Sequence, residues 1–259
     1  MQLLFYLLLL LAFLFLTGCT ASGDSKPQST FNTNSQPVSH ALFTSLLQKY
    51  VDEHGRVNYR GLLQDSASLN QYLQLLSQNP PGPNWTTNEK LAYWINAYNG
   101  FTLKLVLRHY PVKSIKNIGN KLAIPFVNTV WDISFIKIGD KSFTLNKIEH
   151  GILRKDFTEP RIHFAIVCAS QSCPKLRREA YTAANIDTQL NNQAEIFIND
   201  PFRNKIQTNQ VQISKIFSWF KGDFTREKSL IAYLNQYSTI KINPDARVSS
   251  LPYNWNLNE

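Results

Sequence analysis

Cys168 and Cys173 bracket Ala169-Ser170-Gln171-Ser172, and Pro174 follows directly. Proline is favoured at the first position of a helix, so this spacing predicts a helix over 174–180 with Cys173 at its N-cap. Unpaired backbone N–H groups and the helix dipole favour a thiolate there, the form in which cysteine acts as a nucleophile. Arg161 to Cys168 is apolar on both faces and reads as an interior strand. A strand, a tight polar turn and a nucleophile at a helix start is a geometry that serves acyl transfer. The same pair also reads as a disulfide or as two inert buried thiols, since Cys19 is the only other cysteine in the chain.

A thiol nucleophile needs a base, and the chain has five histidines. His40, His54 and His109 fall at a tether edge, in a turn and at a helix end. His150 is the preferred base, with Asn146 and Arg154 four residues to either side on its helical face. His163 lies on the strand leading to the cysteines; its parity opposes Cys168, but it can reach Cys173 after the turn. Glu149 diverges from His150 by about 100° on a helix and is expected to pair with Arg161 or another base. Asn96 and Asn99 share one helix, where they orient a reacting group, bind a ligand or cap an adjacent loop as core amides.

Charge is concentrated near these residues. The net charge is +9, and residues 111–180 hold 12 basic groups against 6 acidic ones. Lys175, Arg177 and Arg178 at the expected helix start would attract a carboxylate or phosphate, with Arg154 and Arg161 in support. Cys-x4-Cys is not a zinc spacing, and no phosphate loop or dinucleotide fingerprint occurs, so neither metal nor cofactor is expected. An exported chain with no recognisable nucleic-acid motif is not expected to bind nucleic acid.

The elements that must hold these groups follow an apolar leader. Leu3 to Leu16 is shorter than the roughly 20 residues a spanning helix needs. It ends in Leu16-Thr17-Gly18-Cys19, which resembles the bacterial lipobox. That resemblance implies a signal peptide over 1–18 and a diacylglycerol on Cys19. It also implies export, and display on the outer membrane facing the periplasm if the cell is Gram-negative. Residues 19–39, rich in Ser, Thr, Asn, Gln and Pro, read as a flexible tether. One domain follows over 40–259.

Its periodicity predicts helices over 41–50 and 62–76. A long central helix runs from the capping-box pair Thr86 and Glu89 toward Pro111. A hairpin is expected near Gly139-Asp140 and a helix over 145–154. Further helices are expected over 185–198, 214–220 and 226–236, with a small hairpin around Asn209. The class is α+β, a single mostly helical domain around a small sheet.

LAYWINAYNGFTLKLVLRHYP (91–111), FTLNKIEHGILR (143–154), PRIHFAIVCASQSCPKLRREAY (160–181) and YNWNLNE (253–259) together resemble the domain of unknown function 547. The resemblance implies one compact domain on a lipoprotein and no particular reaction. Two readings follow from the residues. In one, the domain binds a small anionic or peptide ligand, or a protein partner, in a basic cleft stapled by Cys168 and Cys173. In the other, it is a thiol-dependent hydrolase or acyl transferase with Cys173 as nucleophile and His150 or His163 as base.

Overall fold

A computed structural model describes residues 29–119 and 129–259. The leader, Cys19 and residues 20–28 of the expected tether lie outside them. The helical elements in order are α1 (Ala41–Tyr50), α2 (Tyr59–Gln64), α3 (Ser66–Gln78) and α4 (Thr87–Leu107). Strands β1 (Ile136–Ile138) and β2 (Lys141–Phe143) form an antiparallel hairpin. Helix α5 (Leu145–Ile148) runs on through a π-helical turn (Glu149–Leu153) into Arg154–Asp156. Then come α6 (Ile162–Ala165), α7 (Ile186–Ile198), β3 (Lys205–Ile206), β4 (Gln210–Ile213), α8 (Ile216–Trp219), α9 (Lys221–Phe224), α10 (Leu230–Leu234) and β5 (Arg247–Ser250). Antiparallel β3 and parallel β5 flank β4. None of the described helices is long and apolar enough to cross a membrane. The α+β class stands, with two small sheets in place of one.

Helix α4 organises the larger core. Thr86 accepts from the Glu89 N–H and the Glu89 carboxylate accepts from the Thr86 N–H, the reciprocal cap the sequence predicts. Beyond that cap the helix is buried nearly all round, from Leu91 through Trp94, Tyr98 and Phe101 to Leu107. A helix apolar on every side must be enclosed by its neighbours. Helices α1, α3 and α5 and the β1–β2 hairpin enclose it. A second core gathers Phe164, Phe197, Phe217 and Phe224 beside the three-stranded sheet.

Two parts of the chain depart from the expectations above. Residues 29–39, read as part of a tether, lie packed on the body: Phe31 is 5 % exposed and its ring sits against Trp94 and Phe143. The buried Trp85 and Trp94 indoles donate to the carbonyls of Ser35 and Ser29 at 2.7 and 3.2 Å, so the strap supplies acceptors the core itself lacks. The second departure is 161–182, where neither the strand nor the helix at 174–180 forms. In its place α6 is one short helix, followed by extended chain and a tight turn.

Buried amide side chains explain that second departure. Asn99 donates to the Ala165 carbonyl at 3.0 Å and accepts from the Val167 N–H at 2.9 Å. Asn96 does the same for Tyr181, at 2.8 and 2.9 Å. From α7, Gln189 holds the Ala180 carbonyl and the Thr182 N–H, while Gln193 holds the carbonyls of Phe164 and Lys175. Eight backbone groups between 164 and 182 are therefore satisfied from the side by buried amides.

Candidate functional site

Without a helix after Pro174, Cys173 is not an N-cap and no dipole acts on it. The two cysteines are joined as a disulfide, with Cα atoms 6.2 Å apart, across a turn in which Ala169 holds a left-handed φ of +58°. A non-glycine residue in that region is uncommon, and here the turn is clamped from outside. The Gln171 N–H donates to the Asn256 carbonyl and the Ser172 N–H to the Asn254 carbonyl, and the Asn258 N–H donates to Ala169. Arg203, paired with Asp200, donates to the carbonyls of Cys173 and Gln171 at 2.6 and 3.1 Å. Neither Arg203 nor the stretch 253–258 is legible as a clamp in the sequence, because their targets are main-chain atoms far away in the chain.

Cys173 is buried, and three donors converge on its sulfur. These are the Cys168 N–H at 3.1 Å, the Ser170 hydroxyl at 3.2 Å and the Tyr253 hydroxyl at 3.3 Å. Cys168 is partly exposed. Both line a cleft of about 970 Å³. One wall is aromatic: the Trp219 and Trp255 rings stack at 5.7 Å, Trp131 meets Trp255 edge-on, and Tyr253 lies 4.6 Å from Trp255.

The same cleft also carries titratable groups. His163 sits on α6 with its ring stacked at 3.9 Å on Phe220, and its Nε2 meets the Asp223 carboxylate at 2.8 Å. Arg154 grips the same carboxylate through Nε and Nη2 at 2.6 and 3.2 Å, and its Nη1 donates to His150 Nδ1 at 3.0 Å. The His163 hydrogen bond, joined by Arg154, holds Asp223 well below the usual carboxylate range. Because Asp223 accepts, His163 carries its proton on Nε2, and its buried Nδ1 has no partner among the described residues. Burial lowers His163 despite Asp223, and burial with the Arg154 charge lowers His150. Asp223, which anchors this group, gives no sequence signal; it lies 60 residues from His163 and is joined to it only by the packing of α9 on α6.

Glu149 is the buried carboxyl of the site, 8 % exposed, and accepts from the Tyr98 hydroxyl at 3.2 Å. Burial pushes it up to about 7, against the opposing pull of Tyr98 and Arg154. The π-helical turn starts here, and wide turns of this kind recur at functional sites. It brings Glu149 and His150 onto the same cleft although they are adjacent in sequence.

Several expected site residues stand elsewhere. Glu149 does not pair with Arg161, whose guanidinium is taken by Glu159 and Asp187. Asn96 and Asn99 are core amides on backbone, outside the cleft. Arg177 is held by Glu179, Asn192 and Gln193, and Arg178 reaches the Gln48 carbonyl and Glu53. Lys175 faces a separate cavity of about 310 Å³ beside Arg56 and Arg203. Among the described residues Lys116 is the one lysine or arginine on the cleft wall, beside Asp132 and Glu149. No group of three or more His, Cys, Asp or Glu among the described residues is arranged to hold a metal ion.

No curated protein and no solved structure matches the chain. The matched span takes in α4, the π-helical turn, α6 and both cysteines, and leaves out Asp223 and the clamp at 253–258. Residues 83–198 match the family described as "Protein of unknown function, DUF547", and the chain thus carries a DUF547 domain over that span.

Proposed function

We propose that the domain is a ligand-binding module of an exported lipoprotein, held at a membrane through Cys19, and that its ligand is a small molecule or peptide presenting an apolar or ring-bearing group. The observation that carries this is the aromatic wall. Trp219 is 47 % exposed and lies in contact with Trp255 and Tyr253, and the buried pair Tyr98–Glu149 lines the same cleft. Exposed indoles gathered in a concave site with a few convergent polar groups are the usual make-up of a ligand pocket. The ligand is better described as apolar than as anionic, because the arginines expected to draw an anion are engaged elsewhere. Indole fluorescence reads the site directly, with a panel of N-acetylated tripeptides bearing aromatic or aliphatic side chains as probes. Saturable quenching that weakens at least about tenfold in Trp219→Ala is expected, the loss of one large aromatic contact. Titrations that are flat, or indifferent to Trp219→Ala, overturn the reading.

A second reading, thiol-dependent hydrolysis or acyl transfer, draws support from the Asp223–His163 pair. A carboxylate that fixes one imidazole nitrogen as donor leaves the other as the proton acceptor a nucleophile needs. His163 then takes precedence over His150, whose Nδ1 lone pair is occupied by Arg154. Reduced protein would hydrolyse p-nitrophenyl acetate, and Cys173→Ser and His163→Ala would each lose that activity. Equal rates in all three would remove it.

A further inference from the structure

The arrangement around Cys173 has a chemistry of its own, independent of what the aromatic wall binds. The Cys168 N–H points at the Cys173 sulfur, and the Ser170 and Tyr253 hydroxyls lie closer to that sulfur, at 3.2 and 3.3 Å, than to the Cys168 sulfur, at 3.5 Å from each. A disulfide sulfur is a weak acceptor, whereas a thiolate is a strong one, and hydrogen bonds to a charged form stabilise that form. Arg203, ion-paired with Asp200, holds the Cys173 carbonyl at 2.6 Å and so fixes the main chain that carries this sulfur. Besides Tyr253, the titratable groups on the same cleft are Tyr98, Lys116, Asp132, Glu149, His150 and His163, none of them hydrogen-bonded to either sulfur. The two cysteines also differ in access, Cys173 being buried and Cys168 partly open to the cleft. The turn between them is tied by the 253–258 segment and Arg203, so the donors stay in place when the sulfurs part.

We infer that Cys168–Cys173 is a thiol–disulfide exchange site, in which Cys168 is the sulfur attacked by an incoming thiol and Cys173 is the stabilised leaving thiolate.

The step balances without any further reagent. A thiolate of a dithiol donor attacks the Cys168 sulfur, the bond between the cysteines breaks, and its electron pair leaves on Cys173, where the three donors receive it. The donor is then joined to Cys168 as a mixed disulfide. Its second thiolate attacks its own bonded sulfur and expels Cys168, which takes up a proton. Two electrons have passed to the protein and the donor has become a disulfide. Exchange is faster when the leaving thiol has the lower pKa, which is the sense of the asymmetry here.

The test uses the purified full chain without denaturant. It is incubated with dithiothreitol or with about 10 mM reduced glutathione, then acid-quenched, alkylated and mapped by mass spectrometry. Reduction under these conditions is expected, with the transient glutathione adduct on Cys168. In the reduced protein, thiolate absorbance at 240 nm, assigned with Cys168→Ser, should place Cys173 below the ordinary thiol value of about 8.5. Tyr253→Phe removes one donor and keeps the ring, and should raise that midpoint by about one unit; Ser170→Ala is the independent second variant. A disulfide that opens only after unfolding overturns the inference, as does an adduct on Cys173. A Cys173 midpoint at or above about 8.5, or one indifferent to both variants, does so equally. Peptide quenching at Trp219 is read separately, so the failure of either proposal leaves the other standing.

Discussion

Glu149 shows most plainly how environment decides what a residue does. An ordinary glutamate is ionised at neutral pH, but here burial favours the neutral acid, and the single hydrogen bond from Tyr98 does not reverse that. The folded value, about 7, stands above the 4.5 of the free side chain. Its contribution to stability is therefore fully present below pH 4.5 and is lost as the pH rises through about 7. A difference of that size corresponds to roughly 3 kcal/mol. Urea unfolding of wild type and Glu149→Gln should show the wild-type advantage shrinking by that order between pH 4.5 and about pH 8. Parallel profiles would mean that Glu149 is hydrated. Asp223 is the reverse case: it is held ionised by His163 and Arg154, its side chain is 13 % exposed, and it anchors both. Asp223→Asn should cost roughly 3–5 kcal/mol, the range for breaking a buried pair from one side, and a loss under about 1 kcal/mol in a denaturation series would show the cluster to be solvated.

At the scale of elements, the informative failure is 161–182. Its apolar run has the composition of an interior strand, and Pro174 sits where a helix would start. Both local signals are overridden because Asn96, Asn99, Gln189 and Gln193, reaching in from α4 and α7, bind its main-chain groups one by one. Pattern reading sees no such partner, since an amide on a distant helix leaves no period in the segment it serves. Asn99→Ala would leave the Ala165 carbonyl and the Val167 N–H buried and unpaired. We expect a loss of roughly 2–5 kcal/mol by chemical denaturation, with faster amide exchange at Val167. Unchanged exchange there would show that the segment holds itself. Elements whose signals are internal behave as predicted: the capping box starts α4, and the β1–β2 hairpin turns at Gly139, which has a positive φ of 56°.

The whole molecule is closed by two stretches of little regular structure, the strap at 29–39 and the segment at 253–258. One covers the core around Trp94; the other clamps the cysteine turn and contributes Tyr253 and Trp255 to the cleft. Both are rich in polar residues, which is why the first reads as a tether, yet each anchors through an apolar residue that finds a buried seat, Phe31 in the one and Leu257 in the other. Phe31→Ala should cost about 3–5 kcal/mol and expose 29–39 to limited proteolysis. A strap cut equally fast in wild type and variant would be a true tether.

By itself the sequence determined what depends on neighbours along the chain. That includes the α+β class, the long buried helix with its cap and the first hairpin. The tertiary structure alone decided what depends on groups far apart in the chain. It set Asp223 on His163 across 60 residues and Tyr253 on Cys173 across 80, and it turned the arginines of 161–178 away from the cleft. The division has one physical reason. Helix periods, caps and turns are written in residues a few positions apart, whereas burial, orphaned donors and convergent hydrogen bonds exist only once the chain has folded back on itself.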